Sequence, residues 1–235
     1  MKLLRLLPLL CLSITCASAA DSQPKTLLSE RGKILLTDDL NKAPDGKEWK
    51  AAKGKWEVSD GALRGAEVPA DKHGAVTRHQ LAFKDAVIQF DVKLDGAKMT
   101  TLSINDAKEH LCRVLINPTG FTVQKDDHDH DGPDLAVHFG RREVKLGSDW
   151  HTVVVEIVGT TMLASIDGAN ATFGAHEMIG SAKANFGFTV AGQSALFRNL
   201  KIWEALPNKD WEKTKATIPA ATIPKPAAAA KKPAA

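Results

Sequence analysis

Hydrophobic and polar side chains alternate with a period of two along much of the chain. Phe90, Val92 and Leu94, for example, are separated by polar residues. Successive side chains of a strand point to opposite faces, so this pattern predicts half-buried strands. Longer β-branched or aromatic runs at 153–158 and 196–203 are typical of strands in the core of a sandwich.

Turn signals separate the predicted strands at short intervals. Asp60-Gly61, Asp95-Gly96 and Asp167-Gly168 each stand between two such runs, and Asp-Gly supplies the positive φ of tight hairpins. The predicted strands cover 56–58, 62–64, 75–78, 87–93, 101–104, 113–116, 121–124, 144–146, 152–158, 162–166, 185–189 and 195–204. No amphipathic helix pattern intervenes, so the sequence predicts an all-β fold: a two-sheet antiparallel jelly-roll sandwich.

The first twenty residues have the layout of a secretory signal peptide. A short cationic start precedes an apolar stretch at 6–14 and small residues at 17–20. Cleavage after this segment predicts a secreted or periplasmic protein. Acylation of Cys16, as in a lipoprotein, is the alternative. In either case the apolar stretch is shorter than the roughly 20 residues of a membrane span, so we expect no membrane span.

The last residues, 207–235, are rich in Ala, Pro and Lys and predict a disordered tail, which leaves 21–206 as one β-sandwich domain. The overall charge of +3 divides into +2 in the leader, +4 in the tail and −3 in the body. We therefore expect no nucleic-acid partner. The basic tail is either merely solvated or in loose contact with an anionic envelope polymer.

Removal of the leader would leave Cys112 as the single cysteine, which cannot form an internal disulfide. Its strand-like run predicts a small buried hydrophobe, and a catalytic thiol is the alternative. Two polar residues also stand in predicted strands. Arg113 is expected to reach a carboxylate or a ligand. Glu156 is either a buried carboxylate or, as we prefer, a residue that faces solvent. Ordinary loop chemistry accounts for Asn105, Asp106 and His110.

Three segments resemble the 3-keto-disaccharide hydrolase-like domain family. Residues 54–63 are similar to its opening hairpin, residues 81–90 to a later strand and residues 196–203 to its closing strand. The likeness extends over roughly 35–204. It implies the concanavalin A-like lectin/glucanase fold, whose members are often labelled family 16 glycoside hydrolases, and carbohydrate as the partner.

The middle of the chain departs from that family's pattern. Thr122 stands where the family often carries Glu, whereas Gln124 and Asp126 match it. The Glu-x-Asp-x-Glu strand of true family 16 glucanases, which brings two carboxyl groups within about 5–5.5 Å, does not occur. Retaining glucanase chemistry is therefore not expected. Arg113, Thr122 and Gln124 remain the substrate-binding candidates.

An acidic segment follows at 125–134. Asp127, Asp129, Asp131 and Gly132 fit the first half of an Asp-x-Asp-x-Asp-Gly calcium loop. The second half fails, because the twelfth position is His138 rather than a bidentate Glu. Calcium is thus a candidate cofactor, with the three aspartates as its ligands.

Two histidines in the same segment, His128 and His130, suit a transition metal better than calcium. A third alternative is a loop that is simply solvated or paired with Arg141 and Arg142.

These features predict an exported carbohydrate-directed protein. In the leading hypothesis it cleaves glycosides oxidised at C3, with a base drawn from Asp126, His128 and His130. The alternatives are a non-catalytic polysaccharide-binding module and a structural envelope protein held by its tail.

Overall fold

A computed structural model describes residues 23–128 and 135–224. This part of the chain is almost entirely β, with one short helix, α1, at Trp211–Lys215. The strands are β1 Ser29–Asp38, β2 Trp49–Lys53, β3 Lys55–Ser59, β4 Ala62–Ala66, β5 Ala75–Phe83, β6 Ala86–Asn105, β7 His110–Asn117, β8 Gly120–Lys125, β9 Val137–Glu143, β10 His151–Val158, β11 Thr161–Ile166, β12 Asn170–Ala175 and β13 Lys183–Pro207. The signal-peptide prediction lies outside the described residues.

Two long strands, β6 and β13, run side by side through both layers of the sandwich. They pair antiparallel from Asn185 opposite Asn105 to Glu204 opposite Ala86, with register shifts around Gly192. The predicted hairpin turn at Asp95-Gly96 is wrong, because β6 continues through it as one strand of 20 residues. Gly96 and Gly192 both have positive φ, which lets the paired strands change direction together.

The change of direction produces two facing layers. The first consists of β12, β11, β10, the start of β6, the end of β13 and β1. The second consists of β2, β5, the start of β13, the end of β6, β7, β8 and β9. The β3–β4 hairpin extends the sheet from the middle of β13. Because β12 packs against β9 and β11 against β8, the predicted antiparallel sandwich is confirmed.

Aromatic rings fill the space between the layers. The rings of Phe188 and Phe197 stack with centroids 4.2 Å apart, and Phe90 meets Phe188 edge-on at 5.1 Å. Trp49, from β2 of the second layer, stacks on Phe188. Cys112 belongs to this core and is fully buried, and burial raises the pKa of its thiol to about 12. It is therefore a core residue rather than a nucleophile.

Glu156 is buried on the outer side of the first layer, which corrects the expectation that it faces solvent. Its carboxylate accepts hydrogen bonds from the backbone N–H groups of Leu27, Leu28 and Ser29 and from the Ser29 hydroxyl, at 2.7–2.9 Å. Burial raises the pKa of Glu156, and these hydrogen bonds counter that effect. The carboxylate thereby fastens the chain that enters β1 across the layer.

Residues 208–224 contact the sandwich, although the sequence assigns them to a disordered tail. Trp211 meets Phe173 edge-on at 5.2 Å, and Arg142 donates to the carbonyls of Pro219 and Ala220. Thr222 forms a bridge with Arg141 at the edge of β9. Main-chain groups of a sheet edge thus supply contacts that composition does not reveal. No helix among residues 23–128 and 135–224 is long and apolar enough to cross a membrane.

Several strand predictions differ from the structure. Residues 144–146 are not a strand, because the N–H groups of Val144 and Leu146 donate to the carbonyls of Thr119 and Pro118 in the neighbouring turn. Sequence patterns missed four strands, namely β1, β2, β9 and β12. β9 has a single buried position, Gly140, and contains few β-branched residues, so its pattern is weak.

Candidate functional site

One row of side chains crosses the outer side of the second layer. Strand alternation turns Cys112 and Val114 into the core and Arg113 outward. The strand registers place Gly187, Ser103, Arg113, Gln124 and His138 opposite one another in turn, with Arg78 opposite Gly187. We call the outward side chains of this layer the polar face, comprising Arg78, Thr101, Ser103, Asn105, His110, Arg113, Thr122, Gln124, Asp126, His138, Asn185 and Thr189.

Most of these outward polar groups are nevertheless buried. Ser103, Asn105, Thr122, Gln124 and Asp126 are each less than a tenth exposed. A polar side chain on an outer sheet face normally lies in water. Shelter of so many donors and acceptors on one side of a sheet is typical of a recess that orients a polar ligand.

An ion pair lies in the middle of the polar face. Nε of Arg113 donates to Oδ2 of Asp126 at 2.5 Å, and Nε2 of Gln124 donates to Oδ1 of the same carboxylate at 2.8 Å. Both carboxylate oxygens therefore have a donor, and the three side chains hold one another in place. The predicted candidates Arg113, Gln124 and Asp126 are thus brought together. Thr122 lies on the same face, opposite Leu115 and two residues before Gln124.

Two buried polar atoms of the row have no hydrogen-bond partner among residues 23–128 and 135–224. They are Oε1 of Gln124 and Nδ1 of His138. Gln124 commits its amide N–H to Asp126, so its carbonyl oxygen is left as an acceptor. An unsatisfied buried acceptor costs about 1–3 kcal/mol, and a ligand hydroxyl at this point would recover that cost.

A second network lies beside the ion pair. Nδ2 of Asn105 donates to Oδ1 of Asn185 at 2.6 Å, which directs Oδ1 of Asn105 toward Nδ1 of His110 at 2.8 Å. This network assigns the ring proton to Nδ1 and the lone pair to Nε2. Burial, with the charges of Arg113 and Arg78, lowers the pKa of His110 and favours the neutral imidazole.

His128 pairs with Asp106 at the same end of the layer. Nε2 of His128 lies 2.7 Å from Oδ2 of Asp106, whose other oxygen accepts from the N–H groups of Lys108 and Glu109. Burial opposes ionisation of Asp106, yet these backbone hydrogen bonds and His128 hold its pKa below the ordinary value. Loop chemistry alone therefore does not account for Asp106. The pairing spans 22 residues of sequence, which no local pattern predicts.

Arg78 and Asn185 were also missed by the sequence patterns. Burial lowers the pKa of Arg78 to about 10, and Arg113 acts in the same direction while Asp126 opposes it. These charges consequently lie close enough to influence one another. Arg78 belongs to β5 and Asn185 to β13, and only the strand order places them beside β7 and β8.

The acidic segment is described only at its two ends. Asp127 is partly buried, whereas Asp129, His130 and Asp131 lie outside the described residues. Within residues 23–128 and 135–224, no three His, Cys, Asp or Glu side chains are grouped to hold a metal ion.

The alternative in which the acidic segment pairs with Arg141 and Arg142 does not hold for the described aspartates, Asp126 and Asp127. Arg141 donates to Asn117 and Thr119, and Arg142 donates to backbone carbonyls such as that of Ala171. The strand register explains this, since both arginines belong to the far part of β9, opposite Thr122 and Phe121.

Comparison with known proteins establishes the fold. No family model matches the chain, and no curated protein matches it by sequence. Among solved structures, carbohydrate-binding module CBM66 from Bacillus subtilis aligns with TM-score 0.53 at 14% identity, over 67% of this chain and 96% of its own. An endo-β-galactosidase from Clostridium perfringens aligns with TM-score 0.58 at 9% identity, over 76% of this chain and 64% of its own.

A third similar structure is SCLam, a non-specific endo-β-1,3(4)-glucanase from family GH16. It aligns with TM-score 0.53 at 12% identity, over 77% of this chain and 98% of its own. The chain therefore has the jelly-roll sandwich of the concanavalin A-like type, as the sequence predicts. At these identities the likeness concerns the fold, and function has to be argued from the site.

Proposed function

We propose that the polar face binds a saccharide. Sugar hydroxyls both donate and accept hydrogen bonds, and the polar face offers buried groups of both kinds in fixed positions. Asn105, Thr122 and Arg113 contribute an amide, a hydroxyl and a guanidinium group to this face. A few converging polar groups of this kind fix the orientation of a bound small molecule.

The proposal depends chiefly on the state of Oε1 of Gln124. This oxygen is buried and has no partner in the described part of the chain, while the amide nitrogen of the same side chain donates to Asp126. Native proteins pair more than about 90% of buried polar groups. A ligand hydroxyl that donates to this oxygen is the simplest way to complete the network.

A binding measurement with a matched pair of variants tests the proposal. The purified full chain is screened on a glycan array, and the best ligand is titrated by calorimetry. Gln124→Met keeps the side-chain length but removes the acceptor, and we expect at least about tenfold weaker binding. Gln89→Met provides the control, because Gln89 lies on the outer side of the first layer. Equal affinity of wild type and Gln124→Met would contradict saccharide binding at the polar face.

A second candidate function is cleavage of 3-keto-glycosides, the activity implied by the family resemblance. It is favoured by His110, whose lowered pKa leaves an imidazole that is neutral near pH 7 beside two arginines. In this reaction a base removes the proton from C2, which the adjacent carbonyl acidifies. The C2–H electron pair then forms the C1–C2 double bond as the C1–O bond breaks, and the leaving oxygen takes up a proton.

The residues on the polar face divide these roles. Nε2 of His110 is the proton acceptor in this scheme, while Arg113 lies where it can stabilise negative charge on the keto oxygen. Asp126 already accepts from Arg113 and Gln124, so it positions these two rather than acting as the base. His128 and His130 remain candidate bases from the sequence.

Incubation with a 3-keto-disaccharide, followed by detection of the released sugar, tests this activity. We expect His110→Gln to reduce the rate by about 10²-fold or more while leaving substrate affinity nearly unchanged. His73→Gln is the control, since His73 is exposed and bonded to the neighbouring Gly74 carbonyl. Binding without release of sugar would leave saccharide recognition as the function and reject catalysis.

A further inference from the structure

We propose that the polar face is specific for an acidic saccharide, with the sugar carboxylate held between Arg78 and Arg113. This inference rests on the proposed saccharide binding and adds the substrate class. It concerns the row of residues that crosses the second layer.

The two arginines stand at either side of a floor built from small residues. Gly187 and Ser103 occupy the two positions between them in the row. A Cβ on Gly187 would lie 1.9 Å from the carbonyl oxygen of Thr77, so no side chain can occupy that position. At the usual strand spacing the backbones of Arg78 and Arg113 are about 14 Å apart. The Thr77 carbonyl fills the space above Gly187 and Ser103 has a small side chain, so no bulky side chain stands between the two arginines.

The donors of both arginines are only partly used. The hydrogen bonds of Arg113 in the structure involve Nε and Asp126, and those of Arg78 involve Nη1 and the Thr77 carbonyl. Guanidinium groups bind carboxylates through two parallel N–H···O bonds, and this geometry needs the Nη groups. The arrangement thus retains donors of the kind that a planar anion requires.

The charge balance of the row is positive. Asp126 forms an ion pair with Arg113 and only influences Arg78 through its charge, and Lys50 lies opposite Arg78 on β2. Asp106, another carboxylate near this layer, is occupied by His128 and two backbone N–H groups. Burial and the neighbouring Arg113 lower the pKa of Arg78, which means that a second anion beside it would be stabilising.

The acceptor on Gln124 gives the rest of the sugar a partner. Its unpaired Oε1 follows Arg113 in the same row. A uronic acid residue has one carboxylate for the arginines and ring hydroxyls that can donate to Oε1. A neutral sugar would use Gln124 but leave the arginines without an anion.

Matched acidic and neutral oligosaccharides test the inference. The full chain is titrated with trigalacturonate, an oligomannuronate and an oligoglucuronate, and with the carboxyl-reduced form of each. We expect at least one acid to bind about tenfold or more tightly than its reduced partner. That preference should fall as salt rises from low to high ionic strength.

Arginine variants connect the preference to the site. Arg78→Gln should lose most of the preference for the acid, and Arg78→Lys should keep part of it because the charge remains. Arg198→Gln, which removes an arginine from the outer side of the first layer, should leave the preference unchanged. Thermal unfolding of each variant confirms that it is folded.

The possible results separate the two proposals. Equal binding of acids and their reduced forms, with loss in Gln124→Met, would reject the acidic specificity and retain saccharide binding. A preference for acids that persists in Arg78→Gln would also reject it. Absence of binding to every sugar in both charge forms would reject both proposals.

Discussion

Nε of Arg113 and Oδ2 of Asp126 lie 2.5 Å apart on a sheet face where Asp126 is almost completely buried. Arg113 belongs to β7, and Asp126 directly follows β8 on the neighbouring strand. Gln124 donates to the second oxygen of the carboxylate, so the pair is part of a network. Because a buried charge without its partner is costly, this contact connects the stability of the sandwich to the geometry of the proposed site.

Substitution of Arg113 should show how much its ion pair with Asp126 contributes to stability. Arg113→Met is expected to lower the free energy of unfolding by about 2–4 kcal/mol, because Asp126 would remain buried with only Gln124 as a donor. The double variant Arg113→Met/Asp126→Leu should recover much of that loss, since both charges are then absent. Urea unfolding of the four proteins of the cycle measures the coupling. Additive effects of the two substitutions would contradict the ion pair's role.

The electrostatic environment of His110 predicts its titration. Burial and the charges of Arg113 and Arg78 lower its pKa, and NMR should find the ring titrating below the ordinary value of about 6.5. Arg78→Gln removes one positive charge and should shift this pKa upward. A histidine with a depressed pKa stabilises the fold above its unfolded pKa and loses that contribution as the pH falls through the folded pKa. If the pKa of His110 is unchanged in Arg78→Gln, the charge of Arg78 does not act on His110.

The buried carboxylate of Glu156 should be important for stability rather than for binding. Glu156→Gln puts an amide donor where four donors converge, and we expect a loss of about 2–4 kcal/mol in the free energy of unfolding. Glu57→Gln is the control, because its contacts with Lys55 and Arg64 lie at the surface and should contribute little to stability. Saccharide affinity should stay the same in both variants.

The thiol of Cys112 is expected to be inert in the folded protein. Its burial raises its pKa to about 12, so almost no thiolate is present at pH 8. A chromogenic disulfide reagent should therefore react with it only after unfolding in guanidinium chloride. Rapid modification of the native protein would contradict the position of Cys112 in the core.

Calcium binding by the acidic segment is a prediction of the sequence. Asp127, Asp129 and Asp131 are its expected ligands, and millimolar calcium should raise the unfolding temperature of the wild type. The variant Asp129→Asn/Asp131→Asn should lose this response, whereas Asp60→Asn, in the turn between β3 and β4, should keep it. If zinc but not calcium raises the unfolding temperature, His128 and His130 become the preferred ligands.

Local patterns were sufficient for those features that depend on neighbouring residues. Alternation along 121–124 predicted that Phe121 and Val123 share one face and Thr122 and Gln124 the other, because a strand reverses its side chains at each residue, and Phe121 and Val123 lie in the core. The strand-like run around Cys112 predicted that this residue is buried, as it is. The prediction of a hairpin turn at Asp95-Gly96 was wrong, because a glycine with positive φ can also occur at a bend within a long strand.

Alternating residues, turn signals and the absence of helical periodicity determined the all-β sandwich from the sequence alone. Only the tertiary structure decided which outward residues meet. Arg78, Asn185 and His110 join the ion pair because β5, β13, β6 and β7 become neighbours, with hydrogen bonds between residues as much as 80 positions apart. Strand order depends on how the two layers bury their apolar sides, and this is a property of the whole chain rather than of any short segment.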